Sequence, residues 1–372
     1  MSRCLVIGGG ILGTAHAREA LKLGYDVLQL ERDELPRSSS ARNFGLVWIS
    51  GRASGNELAA SLRTRELWEE IHREIPEMHF RSNGSLTLAR NEAELRVMEE
   101  CVRKEDAALR GWEILDQSDT RKRNPELRGK YLASLWCPLD ATIEPDSALE
   151  SIRQFLLRQV GYSWRTGQDV RSVEEIGTKA IVTTAENDQL EADLVIVCPG
   201  ADHVSLFKEE FAHAPIRRVR LQMMNTEVFP GKLPTSIADG DSMRYYPAYD
   251  VPALQDLPAQ HPVASTNHMQ LLCVQREDGT LTIGDTHEYE EPFRFKLRED
   301  VYRYLHDVAS ELFGQILPPI QNRWEGIYSQ RTDEALCDRN FIGERIITVT
   351  GAGGRGNTLA PVIAEMTFEA LA

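Results

Sequence analysis

The opening residues of the chain switch between two apolar patterns. Cys4-Leu5-Val6-Ile7 is a short continuous apolar run, the mark of a strand covered on both faces. Ile11, Ala15, Ala17, Leu21 and Leu23 then recur at helical spacing up to Gly24, a good helix C-cap. Asp26-Val27-Leu28-Gln29-Leu30 reads as a second strand closing on Glu31. Far downstream, Leu194-Val195-Ile196-Val197 and Ile346-Ile347-Thr348-Val349-Thr350 repeat the buried-strand pattern, and a helical pattern follows the second of them to the C-terminus. The middle of the chain is richer in β pattern, at Gly84–Leu88, Arg218–Thr226 and Leu271–Gln275. The last of these forms a hairpin with Leu281–Gly284, turning at Glu277-Asp278-Gly279. Helices are expected at 54–75, 92–109 and 293–314.

The junction after the first strand is Gly8-Gly9-Gly10-Ile11-Leu12-Gly13, a GxGxxG at a strand-to-helix turn, with an acid about 20 residues on. The glycines serve different ends. Gly8 permits the tight turn, Gly10 lets a pyrophosphate approach the backbone, and Gly13 lets helix pack on strand. The N-terminus of the helix, with Ile11 and Leu12 in its first turn, offers free N–H groups to phosphate. Glu31, followed by Arg32, is placed to accept from adenosine ribose hydroxyls, which disfavours a 2′-phosphate. A glycine turn by accident is the alternative, but strand, helix and acid all stand at the required spacing.

Three later segments separate FAD from NAD. Ser38-Ser39-Ser40-Ala41-Arg42-Asn43-Phe44-Gly45 is polar and small where an NAD enzyme would run into its next helix. The strand at 194–197 ends in the turn Cys198-Pro199-Gly200-Ala201. The last strand runs into Gly351-Ala352-Gly353-Gly354-Arg355-Gly356-Asn357-Thr358, a second glycine loop opening a helix. A helix N-terminus there suits the N1/C2=O edge of an isoalloxazine, where negative charge builds on reduction. The competing view of this loop is a flexible hinge.

Composition narrows the partners. A net charge of −15 argues against nucleic acid and against a basic membrane-surface patch, while leaving room for a small anionic ligand. No apolar run approaches the roughly 20 residues of a membrane span, and a first strand starting by Cys4 leaves no room for a signal peptide. The six cysteines are scattered without CxxC or metal-ligand spacing, which reads as a reduced, cytoplasmic, metal-free protein.

Taken in order, these segments resemble the D-amino-acid oxidase superfamily of flavoenzymes, with glycine and sarcosine oxidases among its members. The resemblance also rests on Ile143-Glu144-Pro145 and Gln168-Asp169-Val170, and it spans nearly the whole chain. It implies an α/β plus α+β architecture: a discontinuous Rossmann-like FAD-binding domain (1–80, 145–212 and 325–372) and an antiparallel-sheet substrate domain (81–144 and 213–324). Ser39, Ser40, Arg42, Asn43, Val170, Pro199 and Gly200 then join both glycine loops as cofactor contacts. Arg244-Tyr245-Tyr246-Pro247 matches the segment that places a tyrosine over the substrate. Gly284-Asp285-Thr286-His287 matches the one where sarcosine oxidase has a substrate-contacting histidine, and a solvated or core His287 is the plain alternative. Tyr328 stands where the family's carboxylate-clamping arginine belongs, which puts an ordinary α-amino acid in doubt. Gly326 is the nearest match to the cysteine that holds sarcosine oxidase's flavin, so the FAD is expected to be non-covalent.

A closer resemblance is to the phosphonate-catabolism subgroup, through Arg42-Asn43-Phe44-Gly45-Leu46-Val47-Trp48, Leu221-Gln222-Met223-Met224, Gly284–Tyr289 and Gly351–Gly354. It implies oxidation of 2-aminoethylphosphonate or an N-methylated aminophosphonate, and brings Trp48 within reach of the pocket. A phosphonate dianion wants more than one arginine, for which Arg42, Arg218, Arg220, Arg244 and Arg323 are available. Arg217–Arg220 read as a solvated edge strand is the bland alternative. Three functions stay open: an amine oxidase or dehydrogenase using O2 or a quinone, an amino-acid or 2-hydroxy-acid dehydrogenase passing electrons to a quinone, and a flavin-bound protein without turnover.

Overall fold

A computed structural model describes residues 2–371; Met1 and Ala372, the outer ends of the expected cofactor domain, lie outside the described residues. One sheet has six strands in the order 338–342, 346–350, 194–197, 3–7, 26–30, 162–165. All neighbours are parallel except the edge strand Asp338–Ile342. The apolar runs of the sequence occupy its centre, and Leu194–Val197 is buried along its whole length because both sheet faces are covered. On one face the helices Ile11–Lys22 and Asn56–Glu74 pack against Gly356–Glu369. On the other lies a three-stranded antiparallel meander of Val170–Ile176, Lys179–Thr184 and Gln189–Ala192.

The second large sheet has eight strands in the order 320–331, 216–228, 280–284, 272–275, 236–238, 85–89, 133–137, 113–116. It is antiparallel apart from the pair 236–238 with 85–89. The hairpin forms as the sequence reads, with Leu272 opposite Gly284 and Gly279 at φ +85° in the turn. Helix Glu299–Phe313 buries Val301, Leu305, Leu312 and Phe313 in the core that also takes up Leu86, Ile237 and Ile283.

Two helix boundaries differ from expectation. The stretch expected as helix from 293 stays non-helical to Arg298, with Phe295 98% exposed, because the first acidic turn that favours a helix start is Glu299-Asp300. The 92–109 stretch breaks into Glu92–Cys101 and Ala107–Arg110, with Lys104 between them donating to the Ala248 carbonyl. Within helix Asn56–Glu74, Arg65 is buried over the Phe80 ring.

His16 packs rather than facing solvent: it is fully buried, with Nδ1 2.7 Å from the Leu12 carbonyl and Nε2 3.0 Å from Thr367 Oγ1. Burial, reinforced by Arg339, lowers its pKa from 6.5 to about 4 despite the Leu12 bond. The native state therefore refuses a proton that the unfolded chain accepts below pH 6.5. Stability present above that pH should fall by about 2 kcal/mol at pH 5 and about 3 kcal/mol at pH 4 from this group alone. Urea midpoints at pH 7 and pH 5 should show a visibly smaller difference for His16→Gln than for the parent. Equal differences would assign the acid sensitivity elsewhere.

Candidate active site

The first glycine turn is closed by its neighbours. Gly8 has φ +110°, and a Cβ on it would sit 2.3 Å from the Cys198 carbonyl oxygen. A Cβ on Gly13 would sit 2.0 Å from the Gly8 carbonyl oxygen, so Gly13 serves packing and lies off the cleft wall. Leu12 also points into the core. Glu31 is fixed by two backbone donors, Gly9 N–H at 2.7 Å and Asp33 N–H at 3.0 Å. Ser40 Oγ accepts from Ile11 N–H at 2.9 Å, clasping the polar 38–43 stretch to the helix start. Gly8, Gly10, Glu31, Arg32, Val170, Pro199 and Gly200 line one cleft of about 140 Å³. Arg32 stands at its rim in an ion pair with Asp202 at 2.9 Å.

Ser39 and Ser40 also border a second cavity of about 570 Å³, a size usual for small-ligand sites. Its near wall holds Ile11, Arg42, Asn43 and the second glycine loop, Gly353 to Asn357. Thr358 lies behind that wall, where its Oγ1 accepts from Trp48 N–H at 3.0 Å and from Arg52 at 3.3 Å. The far wall comes from the eight-stranded sheet. On strand Ile320–Arg331, Gly326, Tyr328 and Gln330 alternate onto the cavity side. Helix Gly240–Tyr245, capped by the Asp239 carboxylate, delivers Arg244, Tyr245 and then Tyr246. The chain leaving strand Thr280–Gly284 supplies Asp285, His287 and Tyr289.

These side chains form a stack. His287 lies face to face with Tyr245, ring centroids 4.2 Å apart, and Tyr289 lies nearly parallel to it at 6.2 Å. Tyr246 meets Tyr245 edge-on at 5.0 Å and leans toward Trp48 at 5.9 Å. His287 Nδ1 is 2.9 Å from the His268 carbonyl, an acceptor, so Nδ1 carries a proton and Nε2 faces Asp285 at 3.8 Å. Burial pushes the Asp285 carboxyl up, against the pull of His287 and Gln270. Burial, with Asp285 next in weight, also pushes up the Tyr328 hydroxyl. The Tyr328 phenol is therefore neutral at ordinary pH.

Five arginines were expected to compete for an anionic group, and three are engaged elsewhere. Arg220 is buried between Glu288 at 2.8 Å and Glu325 at 2.6 Å. Arg218 is paired with Glu291, and Arg323 with Glu299 at 2.8 Å. None of the three lines the cavity. The acids that claim them lie 24 to 105 residues away in sequence, beyond the reach of local pattern. Arg42 and Arg244 do line it, Arg244 next to Asp241 at 3.3 Å. Sequence reasoning missed Arg52 and Arg217 as cavity residues. Arg52 is buried, bonded to the Trp48 carbonyl at 2.7 Å, and its only sequence signal is its closeness to Trp48. Arg217 lies over the Tyr289 ring at 4.0 Å and donates to Gln330. Among the described residues neither Arg42 nor Arg217 has a carboxylate within ion-pair distance.

The arrangement fits a dinucleotide flavin. A glycine turn in which Gly8 has no room for a side chain meets the N-terminus of helix Ile11–Lys22 at one end. At the other, the glycine loop opens a 14-residue helix beside a cavity whose wall carries buried polar atoms without partners among the described residues, Trp48 Nε1 and Gln270 Oε1 among them. Among the described residues no helix is long and apolar enough to cross a membrane.

Known proteins share this fold. Glycine oxidase from Geobacillus kaustophilus superposes with a TM-score of 0.80 at 16% identity, over 100% of this chain and 95% of that one. L-proline dehydrogenase from P. horikoshii superposes with a TM-score of 0.77 at 18% identity, over 100% and 93%. In sequence, a subunit of the opine oxidase of Rhizobium meliloti is 21% identical over 240 residues, which span 62% of this chain and 64% of that protein. The model of the DAO family, described as FAD dependent oxidoreductase, matches residues 3–370. With this match over nearly its full length, the chain belongs to the DAO family of FAD-dependent oxidoreductases.

Proposed function

We propose that the chain oxidises a small amine with an anionic end, an aminophosphonate such as 2-aminoethylphosphonate or its N-methyl derivative. The observation that carries this reading is the mixed lining of the cavity. Asp285 and His287 form one polar surface, Arg42 and Arg217 stand without acidic partners among the described residues, and aromatic rings line the same space. Glycine oxidase and L-proline dehydrogenase are named for amine substrates, which supports the same class. Tyr328, in place of a carboxylate clamp, favours a substrate whose anion is held elsewhere, and Arg244 is a third arginine in reach. Residues 1–80, 145–212 and 325–372 would hold a non-covalent FAD, and 81–144 with 213–324 the substrate.

FAD, when bound, accepts the hydride of the C–N oxidation. The protein's part is to bind and orient. The guanidiniums fix the anionic end, the aromatic wall of Trp48, Tyr246 and Tyr328 keeps water away, and the Asp285–His287 edge faces the nitrogen. O2 or a quinone would then take the electrons.

Anaerobic titration of the yellow protein tests this, with 2-aminoethylphosphonate, its N-methyl derivative, glycine, sarcosine and a 2-hydroxy acid. Bleaching of the flavin band by an aminophosphonate, and not by glycine, is the expected result. Bleaching by glycine or sarcosine alone would overturn the phosphonate assignment, and bleaching by the hydroxy acid alone would overturn the amine. Arg42→Met and Arg217→Met should each raise the KM for the aminophosphonate by roughly 10- to 100-fold, since a charged hydrogen bond is worth about 1.5–3 kcal/mol.

A further inference from the structure

Among the described residues four carboxylates line the substrate cavity, and three of them have guanidinium partners. Glu57 lies 3.3 Å from Arg355 and 3.7 Å from Arg52, Asp241 lies 3.3 Å from Arg244, and Asp333 is paired with Arg331. Asp285 is different. It is 5% exposed, and its carboxylate has no arginine or lysine within ion-pair distance among the described residues. Its near neighbours are the Gln270 side-chain amide at 3.3 Å and His287 Nε2 at 3.8 Å. A buried carboxylate that lacks a cation, on the wall of a ligand cavity, is a receptor for one.

We propose that Asp285 receives the substrate's ammonium and takes its proton, with His287 as its buried companion. The inference rests on the amine reading above. In this step an N–H bond of the ammonium breaks, an O–H bond forms on Asp285, and the electron pair stays on nitrogen. The α-hydrogen would then leave with its two electrons to the FAD, the oxidant of the family's reaction, and the neutral amine would become an iminium ion. His287 Nε2 faces the carboxyl and shares the proton, because its Nδ1 proton is committed to the His268 carbonyl.

The surroundings suit this proton transfer. Tyr245 and Tyr246 approach from the end of helix Gly240–Tyr245, Tyr328 from strand Ile320–Arg331, and Tyr289 from two residues beyond His287. All four phenols are pushed up by burial and so remain neutral, with π faces that favour a cation. Two guanidiniums of the cavity lie over these rings, Arg52 at 6.0 Å from the Tyr246 centroid and Arg217 at 4.0 Å from that of Tyr289. Burial raises the Asp285 carboxyl toward the range where it can hold a proton taken from an amine.

The test is anaerobic stopped-flow reduction of the holoenzyme by N-methyl-2-aminoethylphosphonate between pH 6 and pH 10, for the parent, Asp285→Asn and Asp285→Glu. The parent should give a profile that is flat above neutrality. Asp285→Asn should reduce roughly 100-fold more slowly at pH 7, the lower range for a lost acid–base group, and recover about tenfold per pH unit as free amine accumulates. Asp285→Glu should restore the flat profile. Independently of turnover, 2-(trimethylammonio)ethylphosphonate, a permanent cation, should perturb the flavin spectrum with an affinity at least about tenfold weaker in Asp285→Asn. A variant that retains FAD, with a profile parallel to the parent and unchanged affinity for that cation, overturns the role of Asp285 alone. Reduction of the parent by the hydroxy acid and by no amine overturns the amine reading and this inference together.

Discussion

A Gly8→Ala variant is expected to purify colourless, or nearly so, and to take up added FAD with at least roughly 30-fold weaker affinity. Two costs add at this residue. An alanine at positive φ is strained by about 1–2 kcal/mol, and a methyl in a filled space costs about 1–3 kcal/mol. Here the methyl would meet backbone, the Cys198 carbonyl oxygen at 2.3 Å, which cannot swing aside as a side chain could. The first turn and the strand end at Cys198 must therefore separate, and the cleft lies between them. Gly24→Ala is the matched control. Gly24 also has positive φ, +87°, but a Cβ there meets nothing within 4 Å. It should cost about 1 kcal/mol of stability and leave the flavin in place. The ratio of 450 nm to 280 nm absorbance, followed by FAD titration, distinguishes the two. A fully yellow Gly8→Ala protein would show that the turn relaxes freely.

Asp140→Ala should be the most destabilising of the single changes, by about 3–5 kcal/mol in chemical denaturation. The Asp140 carboxylate is fully buried and accepts from Ile49 N–H at 2.5 Å, Ser50 N–H at 3.0 Å, Ser50 Oγ at 2.6 Å and Ser85 Oγ at 2.5 Å. Removing it leaves four buried donors without an acceptor. The same turn is held from its other side by Arg110, fully buried, which donates to the Ile49 carbonyl at 3.0 Å and pairs with Asp106 at 2.9 Å. Because residues 49–50 lie between Trp48 and Arg52, the loss should reach the cavity as weaker flavin retention. A denaturation midpoint within error of the parent would mean that water takes over the four donors.

Much of this architecture is legible in the residue pattern. The first strand, glycine turn, helix, second strand and Glu31 are local in sequence, so periodicity and spacing suffice to find them. The same holds for the hairpin at Gly279 and for the last strand with its glycine loop. The site is legible only where it is built from such local units. Tyr246, His287, Tyr328 and the 353–357 loop do face one cavity with Trp48. What stayed hidden is polar and long-range. Asp140 reads as one more loop acid until Ser50 and Ser85 converge on it from 90 and 55 residues away. Arg220 looks as available as Arg42 until the fold sets Glu288 and Glu325 against it. Asp285 shows its lack of a cation only after every other cavity acid has found its own. Charge pairing across a fold has no period, and so no signature in one sequence.

The two glycine loops stand 345 residues apart, at positions 8 and 353, yet their strands are separated in the sheet only by Leu194–Val197. During synthesis this has a cost in time. At about 5–20 residues per second, roughly 20 to 70 s pass between the emergence of the first loop and that of the second. From its own emergence until the last strand arrives, Leu194–Val197 has its neighbour on one side and a bare edge on the other. The growing chain must be kept from sticking to others there, and flavin capture belongs to the moments after the last strand slides into place.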